Sequence, residues 1–543
     1  MARFAESSHC SDRRSDPKTD GRVRQAPVRR RARPCISESR PLAGAGTWVL
    51  LVAIVGSSMA FIDSSAVNVA LPSIQRDLQT DAAGLQWVIE GYALFLSALI
   101  LIGGSLGDVF GRRRIFVLGI ALFAIASLAC AAAQTIGTLD LARCLQGVGG
   151  ALATPGSLAL ISANFSGAEK GRAIGTWSGF AAITAAIGPL LGGWLAQSAS
   201  WRYVFLINVP LALFVIVAAL LRVPESRDED GARAIDIAGA VLATAALGSL
   251  TFGLVRLQNG RPDSLGFSSI ACSLLLLSGF VGWEHRARSP MIPPAIFRNG
   301  AFTGANLYTF FLYAALGGSL FFVPFDLQNV QGYSPTAAGA AMLPFIVIMF
   351  VMSRWSGGLV GTIGGRIPLV AGAIVAGFGF LAYARIGVGG SYVTTFFPAA
   401  VVLGVGGALF VAPLTTTVMD AIDASHSGIA SGINNAVARI AGLLSIAALG
   451  IVLLTSLYAE FDRQSGALGL SARSRQTLAR ERATLATAKL PGALREPDRT
   501  RINDVLRASY TLGFRRVMEI SALLSWLAAL IAMRTLPGRA RAA

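Results

Sequence analysis

The sequence contains about 14 apolar runs of about 20 residues each, separated by short polar segments. A helix of about 20 residues spans the ~30 Å hydrocarbon core of a bilayer. Only 14% of the residues are charged and 54% are hydrophobic, whereas soluble domains carry about 25% charged residues. The predicted fold class is therefore an all-α polytopic membrane protein. The predicted spans are 46–69, 84–104, 115–134, 138–162, 171–196, 203–222, 235–255, 266–283, 301–324, 336–355, 367–388, 393–418, 428–456 and 513–536.

The basic residues predict the orientation of these spans. A net charge of +17 is compatible with a nucleic-acid partner, but the arginines lie in the tails and between the apolar runs. The positive-inside rule places such segments on the cytoplasmic face. We therefore predict no nucleic-acid partner, and a cell (inner) membrane location with both termini cytoplasmic. The five cysteines and three histidines show no metal-ligand spacing, so we expect neither a metal site nor a cofactor.

Composition divides the chain into five parts. They are a disordered basic cytoplasmic tail at 1–45, a six-helix half at 46–222, a linker with two extra spans at 223–300, a second six-helix half at 301–536 and a cytoplasmic tail at 537–543. The second half includes a long loop, 457–510, which the even span count places outside. This loop is highly charged, yet long loops can translocate despite their charge. Residues 478–485 within it are predicted to form a short surface helix.

A glycine-rich segment between the second and third spans has the most specific local pattern. Its glycines and charged residues are Gly103, Gly104, Gly107, Asp108, Gly111, Arg112, Arg113 and Arg114. Glycines permit tight backbone turns, so the segment is predicted to be a compact loop. Gly107, Gly111 and Arg112 recur at one constant offset as Gly361, Gly365 and Arg366, with Thr362 in place of Asp108. Duplicated halves around a midplane site are typical of secondary transporters.

Several motifs in one order resemble the major facilitator superfamily, and within it the fourteen-helix drug:proton antiporters of the EmrB/QacA subfamily. The segment 103–114 resembles the loop between helices 2 and 3 of these transporters. The other matching segments are 63–72, 143–150, 188–193, 201–210, 327–335 and 431–439. The resemblance covers roughly residues 46 to 456. It implies the major facilitator fold, with two six-helix halves plus two extra helices between them and 14 transmembrane helices.

The resemblance also implies two gating elements. The first is a cytoplasmic gating loop that locks and releases the two halves, formed by Gly104, Gly107, Asp108, Gly111, Arg112 and Arg113. The second is the antiporter motif, a movable seal in the fifth span formed by Gly188, Pro189, Gly192 and Gly193. Small residues allow close helix packing and a proline favours a kink. A simple packing motif would account for the same glycines.

Charged residues inside the predicted spans are the first candidates for function, because each costs about 2.5–3.5 kcal/mol on insertion scales. Asp63, Glu90 and Arg143 each lie five or six residues from a predicted external end, or roughly 8–9 Å deep. We therefore expect one layer containing two acids and one arginine. The surplus carboxylate can bind and release a proton, because burial and a like charge disfavour its ionisation. We predict proton coupling through these residues, with Asp63 ahead of Glu90; a static salt-bridged triad is the alternative.

Polar and aromatic residues elsewhere are candidates for a substrate cavity. They are Asn68, Gln146, Phe311, Gln328, Asn434 and Asn435. Gln146 lies one turn from Arg143 and can orient it or a substrate, and Arg439 is another buried-charge candidate. Asp326 follows Pro324 near the outer end of a span. We favour a solvated helix end for Asp326 over an external cation-recognition site.

Residues and resemblance together predict a proton-driven secondary exporter of amphipathic or cationic small molecules that works by alternating access. Paired catalytic carboxylates, a nucleophile elbow and a Gly-x-x-x-x-Gly-Lys-Ser/Thr motif do not appear, so neither an enzyme nor an ATP-driven transporter is predicted. The expected partners are a small-molecule substrate and the lipid bilayer, and the chain is expected to work as a monomer. The sequence leaves open a periplasmic adaptor. The alternatives are a dedicated metabolite transporter on the same fold and a non-transporting membrane sensor or lipid-modifying enzyme.

Overall fold

A computed structural model describes residues 45–538, with gaps at 81, 228–235, 259–263, 288–289, 291, 293, 424–425, 467, 469, 472–475 and 479–497. Nearly all of the predicted basic tail lies outside the described residues, as do 539–543. The side chains of Glu90 and Pro189 also lie outside them, although both positions are helical. All regular secondary structure in the described part of the chain is helical.

The helices are numbered here in chain order. They are α1 Ala45–Leu78, α2 Ala82–Phe110, α3 Arg112–Ala132, α4 Ile136–Asn164, α5 Gly167–Ser198, α6 Arg202–Leu206, α7 Asn208–Arg222, α8 Ile237–Gln258, α9 Ser264–Glu284, α10 Gly300–Phe325, α11 Pro335–Ala340, α12 Leu343–Ile363, α13 Arg366–Ala384, α14 Phe396–Asp420, α15 Ser427–Gly466 and α16 Asp498–Thr535. A 3-10 turn at Pro294–Arg298 precedes α10, and a π turn at Asp326–Val330 follows it.

The described residues include 13 helical segments that are long and apolar enough to cross a membrane. Helix α5 is not among them, although it has 32 residues and packs between α1 and α12. It therefore occupies the position of the remaining predicted span. The chain is a multi-pass, all-α membrane protein, as predicted.

Two sets of helices pack mainly within themselves. In the first set, α4 packs against α2 and α3, and α1 packs against α5 and α7. In the second set, α13 packs against α14 and α16, and α10 packs against α15 and α16. Helices α8 and α9 pair with each other, and α8 contacts α2 and α15. The two sets meet mainly through α5 with α12 and through α2 with α15.

The glycine-rich segment is largely helical, which corrects the predicted loop. Helix α2 continues to Phe110, and only Gly111, with a φ of 109°, separates it from α3. The preceding glycines permit close packing instead of turning the chain. A Cβ on Gly103 would lie 2.1 Å from the carbonyl oxygen of Ala151, and one on Gly104 would lie 2.2 Å from that of Gly428.

The predicted 457–510 loop is much shorter than expected, because both flanking helices extend into it. Helix α15 continues to Gly466, and α16 begins at Asp498. Helices of 40 and 38 residues measure about 60 Å, about twice the hydrocarbon thickness. Leu457, Phe461 and Leu506 are buried on these extensions, which explains why the helices persist beyond the apolar runs. Of the predicted 478–485 helix, only residue 478 is described, and it is helical.

Candidate functional site

A network of buried polar side chains lies in the first half, where α1, α3, α4 and α7 meet. Asp63 of α1 and Arg143 of α4 form an ion pair with 2.6 Å between Oδ2 and Nη1. Their side chains are 0% and 1% exposed, respectively. Charges at such depth require both an ionic partner and hydrogen bonds. The structure thus brings together two of the three residues predicted for proton coupling, and the side chain of Glu90 lies outside the described residues.

Neutral side chains complete the hydrogen bonding of this carboxylate. The Nε2 of Gln146 donates to Oδ1 of Asp63 at 2.8 Å, and its Oε1 accepts from Nη1 of Arg143 at 2.6 Å. The Nδ2 of Asn208 donates to the same Oδ1 at 3.2 Å. Both amides also donate to Oγ of Ser127, at 2.8 and 3.2 Å. The carboxylate therefore accepts hydrogen bonds from three side chains on α4 and α7.

Asn208 follows a one-residue interruption in the sixth predicted span. Pro210 has no N–H and cannot donate to the carbonyl of Leu206, so the helix is interrupted there. The span divides at Ile207 into α6 and α7, and Asn208 is the first residue of α7. Asn208 was not among the predicted site residues. The signal in the sequence that could have identified Asn208 was a lone amide two residues before a proline in an apolar span.

Arg143 connects the network to Tyr92. Its Nε donates to the carbonyl oxygen of Val88 at 2.8 Å, and its guanidinium lies 4.3 Å from the ring centroid of Tyr92. A cation over an aromatic face is attracted by the ring quadrupole. The buried hydroxyl of Tyr92 makes no hydrogen bond. One face of this ring therefore contacts the network, while its hydroxyl remains available to another partner.

A cavity of about 40 Å³ adjoins Tyr92. It is lined by Ser57, Ala60, Phe61, Ser64, Tyr92, Leu96, Thr154 and Arg439. Arg439 lies on α15 in the second half, whereas the other seven residues lie on α1, α2 and α4. The cavity is therefore formed between the two halves.

None of the predicted substrate-cavity residues is in the lining of this cavity. Asn434 donates to Oδ1 of Asn306 at 3.3 Å and to Oγ1 of Thr309 at 2.8 Å. Asn435 donates to the carbonyl oxygen of Ser431 at 2.9 Å. These contacts are within the second half. Gln146, another of the candidates, belongs to the buried network around Asp63.

The other cavity candidates are also separate from the lining. Asn68 is exposed and donates to the carbonyl oxygen of Ser64, on its own helix, at 3.1 Å. Phe311 packs edge to face against Phe310, with 5.4 Å between the ring centroids. Gln328 is partly buried in the π turn. The structure does not bring these three residues together.

Asp326 is buried, which corrects the favoured prediction of a solvated helix end. Its exposed fraction is 1%. One carboxylate oxygen, Oδ2, accepts from Nε2 of Gln331 at 3.3 Å, and Oδ1 has no hydrogen-bond partner. The extended helix α16 packs against the π turn that contains Asp326. This extension, which the apolar runs did not reveal, removes the carboxylate from bulk solvent.

The predicted gating loop connects the two halves through Asp108. Its carboxylate accepts hydrogen bonds from the backbone N–H groups of Gly428 and Ile429, each at 3.0 Å, and from Nε of Arg112 at 3.0 Å. Gly428 and Ile429 lie in the first turn of α15, where N–H groups lack helical partners and the helix dipole is positive. The acid therefore stabilises the contact of α2 with the start of α15.

A pseudo-symmetric contact joins α12 to the start of α5. A Cβ on Gly357 would lie 2.2 Å from the carbonyl oxygen of Gly171, a distance equal to that between a Cβ on Gly104 and the carbonyl oxygen of Gly428, although Gly357 is one residue before the position that corresponds to Gly104. Thr362 replaces the acid here, and its hydroxyl donates to the carbonyl of Leu359 at 3.0 Å, on its own helix. An ion pair supports this side instead, with 2.6 Å between Nζ of Lys170 and Oδ1 of Asp420.

Arg113 and the backbone of Arg112, both in the gating loop, contact the segment after α7. The backbone N–H of Arg113 donates to Oε1 of Glu225 at 3.0 Å, and its Nη1 donates to the carbonyl of Val223 at 2.9 Å. The backbone N–H of Arg112 donates to the carbonyl of Ser226 at 2.9 Å. The gating loop is thereby joined to the start of the linker between the halves.

The antiporter motif forms the contact of α5 with α1. A Cβ on Gly188 would lie 1.8 Å from Oγ of Ser65, and one on Gly192 would lie 2.5 Å from the carbonyl oxygen of Ala66. Gly193 is less tightly packed, with 3.3 Å to Cγ1 of Val69. Only glycine fits at the first two positions without displacement of α1. The motif therefore packs against the turns of α1 that follow Asp63.

A second acid–arginine pair in the same half provides a comparison for Asp63. Asp77 lies beyond the membrane-spanning part of α1 and accepts hydrogen bonds from Arg202 and from Nε1 of Trp201, the latter at 2.9 Å. Its side chain is 47% exposed. The hydrogen bonds from Arg202 and Trp201 lower the pKa of the Asp77 carboxyl below its usual range. Asp77 is therefore ionised at neutral pH and unsuited to proton exchange.

Comparison with known proteins gives consistent relatives. The sequence profile of the Major Facilitator Superfamily matches residues 53–446. The chain is 35% identical over 430 residues to the multidrug resistance protein Stp of Mycobacterium tuberculosis, covering 76% of this chain and 77% of the relative. It is 32% identical over 495 residues to the tetracenomycin C resistance and export protein of Streptomyces glaucescens, covering 90% and 91%.

The fold is similar to that of solved transporters. The structure of the proton:xylose symporter XylE, a major facilitator superfamily protein, aligns with a TM-score of 0.56 at 14% identity. The alignment covers 91% of this chain and 97% of XylE. At this identity the similarity supports the fold alone.

Proposed function

This chain belongs to the Major Facilitator Superfamily, and we propose that it is a drug exporter that exchanges amphipathic small molecules for protons. The observation that carries the proposal is the buried contact of Asp63 with Arg143 at 2.6 Å. A carboxylate inside a membrane bundle is retained at an energetic cost, and proton relays are a frequent reason. The proton is the proposed coupling ion, and no further cofactor is proposed.

Protonation of Asp63 would change the forces in the network. Neutralisation removes the ionic attraction to Arg143, while the guanidinium keeps its hydrogen bonds to Gln146 and Val88. Helix α1 is then held less strongly to α4, and α5 packs on α1 through Gly188 and Gly192. We infer that proton binding alters the position of α1 and α5 together, and that substrate and proton favour opposite conformations.

The inter-half contacts support an arrangement that is closed on the side of Asp108. This acid binds the start of α15, and Lys170 pairs with Asp420 on the same side. The basic residues nearby support a cytoplasmic location for this side under the positive-inside rule. We propose an inner-membrane location with both termini cytoplasmic. Opening of these contacts would then admit substrate from the cytoplasm.

A dedicated exporter of one compound is the second candidate. The tetracenomycin C relative is named for the resistance to, and export of, one compound, whereas the mycobacterial relative is named for multidrug resistance. A panel of antibiotics, dyes and native metabolites, tested for efflux in a deletion strain, separates the two. We further propose that the monomer is the working unit. Whether a periplasmic adaptor takes part is a separate question, which co-purification from crosslinked membranes would answer.

Transport in proteoliposomes tests the proton coupling. Vesicles with a pH gradient should accumulate a substrate identified by the panel, and nigericin should abolish the accumulation by exchanging K⁺ for H⁺. Asp77→Asn is the matched control for Asp63→Asn, because it also removes an arginine-paired acid from the first half, but at an exposed position. Gradient-driven accumulation should persist in Asp77→Asn. Accumulation that is insensitive to nigericin would reject proton coupling.

A further inference from the structure

The cavity between the halves contains a cation without a partner. Arg439 lines the cavity and is partly buried. Its guanidinium makes no hydrogen bond, ion pair or ring contact with any side chain or backbone group that the structure describes. By contrast, the other membrane-embedded arginine near the cavity, Arg143, pairs with Asp63 at 2.6 Å. An unpaired cation in this environment is costly, so its retention indicates a ligand that completes the pair.

The register of α15 on α2 places this cation opposite Tyr92. The two helices run in opposite directions, with Gly428 against Gly104 and Gly432 against Leu101. Two further turns along α15 bring Arg439 to the level of Tyr92 and Leu96 on α2. The position of this cation thus follows from the packing of α15 on α2.

The rest of the lining supplies hydrogen-bond donors and apolar surface but no described acid. The hydroxyl of Tyr92 is buried and makes no hydrogen bond. Ser64 and Thr154 add further hydroxyl groups, and Phe61 adds an aromatic wall. Asp63 does not line the cavity, because its carboxylate faces Arg143, Gln146 and Asn208. The described lining therefore carries one positive charge and no negative charge.

We propose that the side chains lining this cavity bind an amphipathic organic anion, with a carboxylate or ionised phenol against Arg439 and Tyr92 and an aromatic body against Phe61. The cavity of about 40 Å³ has room for about one water molecule, so the anion binds in a conformation in which the two halves are further apart than in this structure. A guanidinium presents paired N–H donors that match a carboxylate, and a phenol hydroxyl adds a third donor. A lipophilic cation would be repelled by the same charge at low dielectric. The inference rests on the proposed export function and specifies the substrate class of its central site.

The binding site joins both halves through one ligand. Arg439 belongs to the second half, whereas Tyr92 and Phe61 belong to the first. An anion held by all three residues therefore contacts both halves at once. The Tyr92 ring also contacts Arg143 at 4.3 Å, so the substrate and the buried acid are linked through one side chain.

Two dyes with the same xanthene skeleton test the charge preference. Fluorescein is an anion at neutral pH, and rhodamine 123 is a cation. Binding to the purified full-length protein in nanodiscs is measured by fluorescence polarisation. We expect fluorescein to bind saturably, and at least ~10-fold more tightly than rhodamine 123, because an ionic hydrogen bond contributes about that factor. Equal binding of the two dyes, or tighter binding of rhodamine 123, would overturn the proposal.

Substitutions of Arg439 identify the cation responsible. Arg439→Gln should weaken fluorescein binding at least ~10-fold, and Arg439→Lys should lose less because the charge remains. Arg516→Gln removes the same charge from an exposed position and should leave binding unchanged. The melting temperature of Arg439→Gln should not fall, because the substitution removes an unpaired cation. Unchanged fluorescein affinity in Arg439→Gln would contradict the assignment.

Transport measurements separate this inference from the proposed function. If fluorescein binds through Arg439 but is not moved by a pH gradient, the anion site stands and proton-driven export falls. If rhodamine 123 is exported with protons and Arg439→Gln has no effect, export stands and the anion site falls.

Discussion

Asp63 and Asp77 lie on the same helix and both pair with an arginine, but they differ in exposure. Asp77 is open to solvent and its ion pair is screened, so its net contribution to stability is small. The Asp63 pair is wholly buried, and loss of either partner leaves an uncompensated charge. The cost of that change is about 3–5 kcal/mol in proteins generally. The two pairs are therefore expected to respond very differently to substitution.

Arg143→Gln should lower the melting temperature of the purified protein substantially, because the Asp63 carboxylate loses its ionic partner. The double substitution Asp63→Asn with Arg143→Gln should recover much of this loss, since no buried charge remains in the pair. Thermal unfolding in detergent, followed by the fluorescence of native tryptophans, measures both. A double variant no more stable than Arg143→Gln would show that charge compensation is not the main role of the pair.

Asp326→Asn should have the opposite effect on stability. The Oδ1 atom of Asp326 has no hydrogen-bond partner, and an unsatisfied buried polar group costs about 1–3 kcal/mol. An amide of the same shape removes the charge, so the melting temperature should rise. Differential scanning fluorimetry of the variant beside the wild type provides the measurement. A lower melting temperature would indicate that the ionised carboxylate is stabilised by its surroundings.

At the residue level, a charge that interrupts an apolar run was the clearest signal in the sequence. Asp63 and Arg143 were selected on that basis, and the structure places them in direct contact. Asn208 and Ser127 were not selected, because neutral amides and hydroxyls are common in membrane helices. Their importance depends on which helices meet. The unpaired state of Arg439 likewise follows only from the packing of α15 against α2.

At the scale of helices, the glycines of the gating loop are not equivalent. Gly104 contacts the backbone of α15, where a Cβ would lie 2.2 Å from the carbonyl oxygen of Gly428. Gly107 has no such contact, and its nearest neighbour is the Cα of Arg112 at 4.0 Å. The sequence motif marks both glycines in the same way, but the packing constrains only the first.

Gly104→Ala should therefore force α2 and α15 apart, whereas Gly107→Ala should be tolerated. Neither φ is positive, so an alanine is compatible with the backbone at both positions and steric contact alone distinguishes them. Gradient-driven transport in proteoliposomes compares the two variants. We expect a reduction of about tenfold or more for Gly104→Ala, because a conformational equilibrium shifted by ~1.4 kcal/mol changes populations tenfold. Equal activity of both variants would contradict the role of the α2–α15 contact.

Helix positions followed from the apolar runs, but helix ends did not. Helix α1 continues to Leu78, nine residues beyond the predicted end at 69, because polar residues can extend a helix outside the bilayer. Its end at Leu78 coincides with a left-handed residue, Gln79, with a φ of 49°. Similarly, α15 continues to Gly466 because Leu457 and Phe461 pack on neighbouring helices. Hydropathy reports the membrane-embedded part of a helix and not its tertiary extensions.

At the scale of the whole molecule, the two halves are held together on one side by charge. Asp108 binds the start of α15, and Lys170 binds Asp420. Asp108→Asn keeps the size of the side chain but removes its charge from the helix N-terminus. That interaction is worth up to about 2 kcal/mol in partly buried sites, so the ratio of closed to open molecules should fall by up to ~30-fold.

Spin labels at Glu169 and Ile367 report this equilibrium, because both residues are exposed and lie on opposite halves near the Asp108 side. Double electron–electron resonance should give one shorter distance in the wild type and an added longer distance in Asp108→Asn. Thr362→Ala is a suitable control, since Thr362 occupies the corresponding position in the second half and its hydroxyl bonds only within its own helix. Identical distance distributions in all three proteins would exclude the proposed role of Asp108 in holding the two halves together.

Substrate exchange separates a role of Asp63 in proton coupling from a purely structural role of this residue. Proteoliposomes containing Asp63→Asn are loaded with unlabelled substrate and then given labelled substrate outside. This variant should still exchange substrate across the membrane but should no longer accumulate it when a pH gradient is imposed. Accumulation equal to that of the wild type under the same gradient would contradict the account.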